Sequence, residues 1–234
     1  MKIQEIVYIC VLNKSCAMKV NNIGESNSVL GSFIAELRDA HIQKDSLRFR
    51  TNLQRVGEVF AYEISKTLEY SEKDVLTPLG VAKVSTPDTP IVIASILRAG
   101  LPIQDGMLRF FDHAETAFLS AYRSTGKLGY FKVKAKYCTT PSLEGKTLIL
   151  ADALLATGSS MEVGIEKLHE EGGEPARVHL VCPVASRFAV DHLSQIFGDE
   201  YTLWVAAIDE ELTSQSYIIP GIGDAGDLAF GGKL

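Results

Sequence analysis

Residues 147–161 read TLILADALLATGSSM. An apolar run ends there at one acid, Asp152, and passes through a few small residues into Thr157, Gly158, Ser159 and Ser160. A run such as TLILA has no polar alternation, so it reads as a strand buried on both faces. The hydroxyl-rich turn after it opens a helix expected from Ser159 to His169. A buried strand feeding a helix through a short loop is the repeating step of an α/β fold.

The same step recurs on either side. IVIASI at 91–96 is a second continuous apolar run, followed at Gly100 and Pro102 by a helix through Met107, Leu108 and Phe111. ARVHLVCPVA, a short helix near Phe188 and YTLWVAAI extend the alternation toward the C-terminus. Such alternation predicts right-handed βαβ units and a mostly parallel sheet with helices on both faces. Ligands of these sheets bind beyond the carboxyl ends of the strands. Arg98, Asp152 and the pair Asp209–Glu210 each follow a buried run, so chemistry collects where that rule puts it. Asp209 and Glu210 also fit a solvated loop.

AETAFLSAY and YFKVKAKY read as strands around RSTGKLG, a loop whose glycines permit movement. Toward the N-terminus, Leu30, Phe33, Ile34 and Leu37 share one helical face. A longer helix repeats Phe49, Leu53, Val56, Phe60, Ile64 and Leu68 at intervals of three or four. Between these and IVIASI, DVLTPLGVAKVS turns at Pro78 and Gly80 as a hairpin of two short strands. Repeats, linkers and low-complexity tracts are missing from the sequence, which predicts a single domain over 27–234, preceded by an N-terminal extension over 1–26.

The chain has 234 residues, 46% of them hydrophobic, enough for one substantial core. Its net charge is −6 and no stretch is rich in Lys or Arg, which argues against nucleic acid or anionic membrane as partner. Cys10, Cys16, Cys138 and Cys182 are scattered without zinc-type spacing, and they read as reduced thiols of a cytoplasmic protein. IVYICVL is too short to span a bilayer and lacks a cleavage site, so no targeting segment is expected; Met18 is an alternative start.

The turn after Asp152 lacks the Lys of a Walker-type loop and the spaced glycines of a dinucleotide fingerprint. Amides of Gly158, Ser159 and Ser160 at a helix N-terminus nevertheless suit a doubly charged phosphate, with Thr157 and Ser160 adding hydroxyl donors. Asp152 shares the sign of phosphate and would instead accept from nearby hydroxyls. A phosphate and vicinal hydroxyls a few ångströms apart describe a ribose 5-phosphate. The competing reading is that Thr157 and Ser159 only cap a helix and Asp152 sits in a solvated turn.

ADALLATGSS resembles the phosphoribosyl pyrophosphate (PRPP) motif of type I phosphoribosyltransferases, in the DPMLATGGS form of the uracil phosphoribosyltransferases. ILRAGLPIQDGML at 96–108 is similar to that family's segment around its pyrophosphate-binding arginine. SYIIPGIGDAGDLAFG at 216–231 resembles its uracil-binding segment, a long and specific match. With AYRS and LRFRTNLQRVGEVFAYEIS, the resemblance covers most of the chain from about residue 27. Two positions depart from the motif: Ala153 stands for the usual proline, and Ser159 for the second glycine. Neither change removes a substrate-touching group, so both bear on rate rather than on identity.

The resemblance implies a type I phosphoribosyltransferase-like fold, with a small hood or hairpin region for the base. It implies transfer of the phosphoribosyl group of PRPP to N1 of uracil, giving UMP and pyrophosphate. Catalytic positions map to Arg98, Arg123, Asp152 and Asp224. PRPP binding maps to Arg98, Arg123, Asp152, Ala153, Leu154, Leu155, Ala156, Thr157, Gly158, Ser159, Ser160 and Asp224. Uracil contacts map to Ile218, Gly223, Asp224 and Ala225, with Tyr217 and Pro220 either walling the pocket or packing. Magnesium enters with PRPP near Asp224 and needs no direct metal site. The resemblance also implies a homodimer or homotetramer and admits a nucleotide effector such as GTP.

Plainer roles stand beside these. Arg98 also fits a surface salt bridge at a strand end, and Asp224 a glycine-rich turn, although Asp227 suits that turn better. Lys127 is indistinguishable from a solvated loop lysine. His41, His113, His169, His179 and His192 are dispersed and read as surface or satisfied core residues. The alternative function is a uracil- or nucleotide-sensing regulator that keeps the fold without turnover.

Overall fold

The computed structural model describes residues 17–125 and 131–232, with backbone alone over 122–125 and 131–136. The central sheet takes its strands from β1 (Lys19–Asn22), β4 (Ile91–Leu97), β5 (Glu115–Thr125), β6 (Phe131–Thr139), β7 (Thr147–Ala151), β8 (Leu154–Leu155), β9 (Arg177–Ser186) and β10 (Tyr201–Asp209). Their order is β1-β10-β9-β7-β4-β5-β6, with the short β8 also pairing with β9. All pairings are parallel except β5 with β6. The predicted parallel sheet is therefore present.

Its strands lack polar alternation because both faces are covered. Ile91 and Ile93 of β4 join a core with Ile149, Val181 and Trp204. Packed there are α1 (Leu30–Arg38), α2 (Ser46–Ser65) and α3 (Gly100–Leu108). Val92, Ala94 and Ile96 face a second core with Leu148, Leu150 and Cys182. That core is closed by Met161, Ile165 and Leu168 of α4 (Ser159–Gly172) and by Ala189 and Leu193 of α5 (Arg187–Ile196). Each such buried aliphatic side chain contributes about 1.5–3 kcal/mol. Alternation thus exists in these strands, but between two apolar cores.

β2 (Tyr70–Thr77) and β3 (Gly80–Pro87) form a separate antiparallel hairpin, as DVLTPLGVAKVS predicts. Leu76, Leu79 and Val81 on it are largely exposed. After β10 the chain makes β11 (Glu211–Leu212), which pairs antiparallel with β12 (Ile218–Ile219), and ends in the short helix α6 (Ala225–Phe230). This segment is a small region apart from the main sheet, as the resemblance implies for the fold.

The expected boundary at residue 27 needs correction. Lys19–Asn22 pair in register with Thr202–Val205 and form the sheet's edge, and Met18 is buried in the second core. KVNN carries too little hydrophobic pattern to announce a strand; it is extended because β10 offers an open ladder. Residues 1–16 lie outside the described residues.

Candidate active site

The phosphate-side loop leaves the sheet at the end of β7. Asp152 still donates its N–H to Val181 O at 3.0 Å, and the chain returns to β9 as β8, with Leu154 opposite Val184 and Leu155 opposite Ala185. Ser186 locks the turn that follows. Its hydroxyl donates to Ala156 O at 2.5 Å and accepts from Ala189 N–H at 3.0 Å, joining the loop to the start of α5. Gly158 then adopts φ +86°, which glycine tolerates without strain. A Cβ at that position would also press within about 3.0 Å of His192 and Leu193.

α4 begins at Ser159, and its N-cap residue, Gly158, makes no side-chain cap bond. The Thr157 hydroxyl donates instead to Ser159 Oγ at 3.2 Å. The capping alternative for these hydroxyls therefore fails. Amides at the opening of a 14-residue helix keep their attraction for an anion, helped by the helix dipole. Ser159 has already entered the helix, so a side chain in place of the family's second glycine is sterically acceptable.

Asp152 accepts from its neighbour's N–H, Ala153 N to Oδ1 at 2.7 Å. Burial outweighs this bond and a second from Leu154 N–H, pushing the carboxyl up to about 7. An acid poised near neutrality at the end of a buried strand is a functional-site signature. In its ionised form it can accept hydrogen bonds from hydroxyls and repels groups of its own sign.

Arg98 is brought beside this loop by the residues following it. A Cβ on Gly100 would stand 2.6 Å from Ala151 O, so only glycine lets the start of α3 approach the end of β7. Buried Gln104 holds the helix from the other side, donating to Ile93 O at 2.6 Å and accepting from Ser95 Oγ at 3.0 Å. Arg98 Nη2 meets Asp227 Oδ1 at 2.8 Å and Nη1 donates to Gly231 O at 3.0 Å. Its Nε is buried without a partner among the described residues. Arg98 thus makes a salt bridge at the strand end and also lines the cleft.

In the C-terminal turn, the structural role expected of Asp227 falls to Asp224. Asp224 is the turn residue: its Oδ1 accepts Asp227 N–H at 3.1 Å and caps α6. Asp227 turns one position further round and pairs with Arg98. Asp224 nevertheless stays exposed on the cleft. Asp209 also departs from the solvated-loop reading. It is buried and holds Arg38 through two bonds of 2.9 Å, while Glu210 is exposed near Arg187.

A cleft of about 640 Å³ brings the two sides together. Arg98, Asp152, Ala153, Leu154, Leu155, Ala156, Thr157, Gly158 and Ser160 line one side. Tyr217, Ile218, Pro220, Gly223, Asp224 and Ala225 line the other. Ser159 stands behind the lining. Arg123 sits opposite Val133 on the β5–β6 ladder; its side chain, and Lys127 entirely, lie outside the described residues. Among the described residues no histidine lines the cleft. His192 bonds Glu162 at 3.0 Å, and buried His179 accepts from Trp204 Nε1 at 3.1 Å while its Nε2 lacks a partner. His179 is thus only half satisfied. Ser186 and Arg38 shape the site without having been singled out, and the partners found for Asp209 and Asp227 were not foreseen.

Four similarities bear on this arrangement. The family model described as uracil phosphoribosyltransferase matches residues 25–232. A uracil phosphoribosyltransferase of Porphyromonas gingivalis is 47% identical over 217 residues, 93% of this chain and all of that one. One from Methanothermobacter thermautotrophicus is 41% identical over 189 residues, 80% of this chain and 85% of the other. Among solved structures, the AQ2163 protein of Aquifex aeolicus superposes with a TM-score of 0.80 at 28% identity, covering 91% of this chain and 98% of its own. On a match spanning nearly every element described above, this chain belongs to the uracil phosphoribosyltransferase family.

Proposed function

We propose that this cleft transfers the 5-phosphoribosyl group of PRPP to N1 of uracil, giving UMP and pyrophosphate. The observation carrying the reading is the α4 N-terminus, opened at Gly158 without a side-chain cap, on the same cleft as Asp152 and Arg98. The amides at Gly158–Ser160 and the Thr157 and Ser160 hydroxyls take the 5-phosphate. Asp152 accepts from the ribose hydroxyls. Arg98, whose planar fork suits paired phosphate oxygens, takes the pyrophosphate, with Arg123 as its proposed companion from the β5–β6 hairpin.

As the bond from C1 to pyrophosphate breaks, positive charge grows on the ribose ring and negative charge on the leaving group. Uracil N1 forms the new bond to C1 and gives up its proton to the departing pyrophosphate or to water. Holding the partners in line and neutralising the leaving group are then the main tasks of the protein. Uracil is read by the turn around Ile218, Gly223, Asp224 and Ala225. Gly221 and Gly223 adopt φ +58° and +77° there, which lets main chain approach the base closely. Cytosine would leave buried donors and acceptors unpaired, at about 1–3 kcal/mol each.

Magnesium carried by PRPP needs hard oxygen donors, and Asp224, an exposed carboxylate on the cleft, fits that need. When bound, the ion spreads the charge of the pyrophosphate. The hairpin residues Leu76, Leu79 and Val81 offer apolar surface for the homodimer or homotetramer implied by the family. A nucleotide effector such as GTP and a cytoplasmic setting belong to the same reading. No helix among the described residues is long and apolar enough to cross a membrane.

The test is direct: incubate the chain with uracil, PRPP and magnesium and follow UMP. Formation of UMP, lost on omitting PRPP, is expected. Uracil or UMP binding with no product would favour the sensing regulator instead.

A further inference from the structure

The turn that reads the base is clamped from outside the cleft by charges on two distant elements. Arg38 is the last residue of α1, and Asp209 the last of β10. Arg38 Nη1 and Nη2 meet Asp209 Oδ2 and Oδ1, each at 2.9 Å. Both side chains then close on Gly221: Asp209 Oδ2 accepts its N–H at 3.0 Å, and Arg38 Nη1 donates to its carbonyl at 3.1 Å. The two peptide groups flanking one residue are thus fixed by one ion pair.

Gly221 is where such a clamp has most leverage. Ile218 lies just before it, and Gly223, Asp224 and Ala225 just after, so it sets the spacing between both halves of the proposed base contact. The turn is tight, since a Cβ on Gly221 would fall 2.3 Å from Ile218 O. The clamp's own support comes from Gln43, which donates to Leu37 O and Arg38 O, each at 3.2 Å. Its Oε1 lies 3.5 Å from where a Cβ on Gly223 would stand.

Asp209 is only 8% exposed and Arg38 23%. A buried ion pair is weak evidence for stability, since apolar residues of similar volume often serve as well. Here the pair supplies what apolar residues cannot: a donor and an acceptor aimed at one backbone position. We infer that Arg38 and Asp209 are positioning residues for base recognition, acting through Gly221 to hold the uracil-reading turn. Neither touches substrate. This inference rests on the functional reading above.

Steady-state kinetics of the full chain separate the two. Arg38→Met is expected to raise KM for uracil about tenfold while KM for PRPP changes by less than about twofold. Discrimination against cytosine should narrow in the same variant. Arg38→Lys, which keeps a charge opposite Asp209 but loses the fork, should fall between it and the native chain. If Arg38→Met does not fold, Asp209→Asn preserves volume and is read by the same split. Equal movement of both KM values, or unchanged kinetics with only a lower melting temperature, would overturn the inference and leave the pair as support for the fold. In that case the native chain still makes UMP; a native chain that makes none removes the functional reading, and this inference with it.

Discussion

The two walls of the cleft are built by different means. The phosphate wall is a regular product of the sheet: the ends of β4 and β7, a loop that rejoins β9, and the first turn of a 14-residue helix. The base wall has a two-residue pairing of β11 with β12 and a six-residue helix, too little to hold itself. It is held instead by arginines reaching across from elsewhere. Arg38 grips Gly221, Arg98 grips Asp227 and Gly231, and Arg50 donates to Ala229 O at 2.5 Å. Backbone regularity can place a phosphate, but a flat base read by main chain, as proposed here, needs a turn of one shape, and polar side chains hold this turn.

Arg98 belongs to both walls, so its removal is expected to have the largest effect. Arg98→Ala strips charge from the pyrophosphate site and frees α6 from its tie. A fall in kcat/KM of about a thousandfold is expected, with KM for both substrates affected. A loss confined to PRPP would show that its bond to Asp227 is incidental to the base wall.

Asp152→Asn should sharpen the contrast, because Asp152 serves only the phosphate wall. A drop of about a hundredfold in kcat/KM for PRPP is expected, with KM for uracil nearly unchanged, the reverse of the split expected for Arg38→Met. The same variant should be more stable. The folded carboxyl titrates near 7 against 3.8 for an unfolded one, so the folded state holds the extra proton between these values. Its contribution to stability is therefore greatest below about pH 4 and is lost as pH rises to 7. Asparagine carries no such cost, and a gain of about 1–2 kcal/mol at pH 8, discounted for the solvent-open cleft, should raise the melting temperature a few degrees. Stability gained as activity is lost is the expected trade at a site built for function.

The titration predicts a pH profile as well. In the proposed site ionised Asp152 accepts from ribose hydroxyls, and its protonated form loses acceptor capacity. KM for PRPP should rise about tenfold between pH 8 and pH 6, while KM for uracil stays flat. A flat PRPP profile in the native chain would remove Asp152 from sugar binding.

The phosphate wall was legible in the sequence because its signals are local. TLILA, the acid and the hydroxyl turn are contiguous, and the strand ends of a parallel sheet then bring Arg98 alongside. The proposed base contacts rest on resemblance alone, since GIGDAGD has no periodicity that says which acid caps and which pairs. The turn role was for that reason expected of Asp227, although Asp224 fills it. The clamps were not legible at all: Arg38 and Asp209 are 171 residues apart, and Arg98 and Asp227 are 129 apart. No local pattern joins them. Ser186 is hidden likewise, as one serine inside a strand that reads as apolar. The edge strand β1 was missed because its pairing with β10, not its own composition, makes it extended.

Ala153 supplies the smallest expected effect and the finest test of the phosphate wall. The motif's usual proline has no N–H, whereas Ala153 N–H donates to Asp152 Oδ1 at 2.7 Å. That bond favours the ionised acid and works against the desolvation that raises it. Restoring proline by Ala153→Pro should remove it and move the midpoint of the PRPP profile to higher pH. At pH 7 the variant should lose about twofold to fivefold in kcat/KM for PRPP, and the loss should vanish at pH 9, where the acid is ionised in both forms. A loss that persists unchanged at pH 9 would instead assign it to loop shape, because proline also restricts the backbone of Asp152. The two causes part company on pH alone, which makes this conservative change the sharper probe of how one acid is tuned.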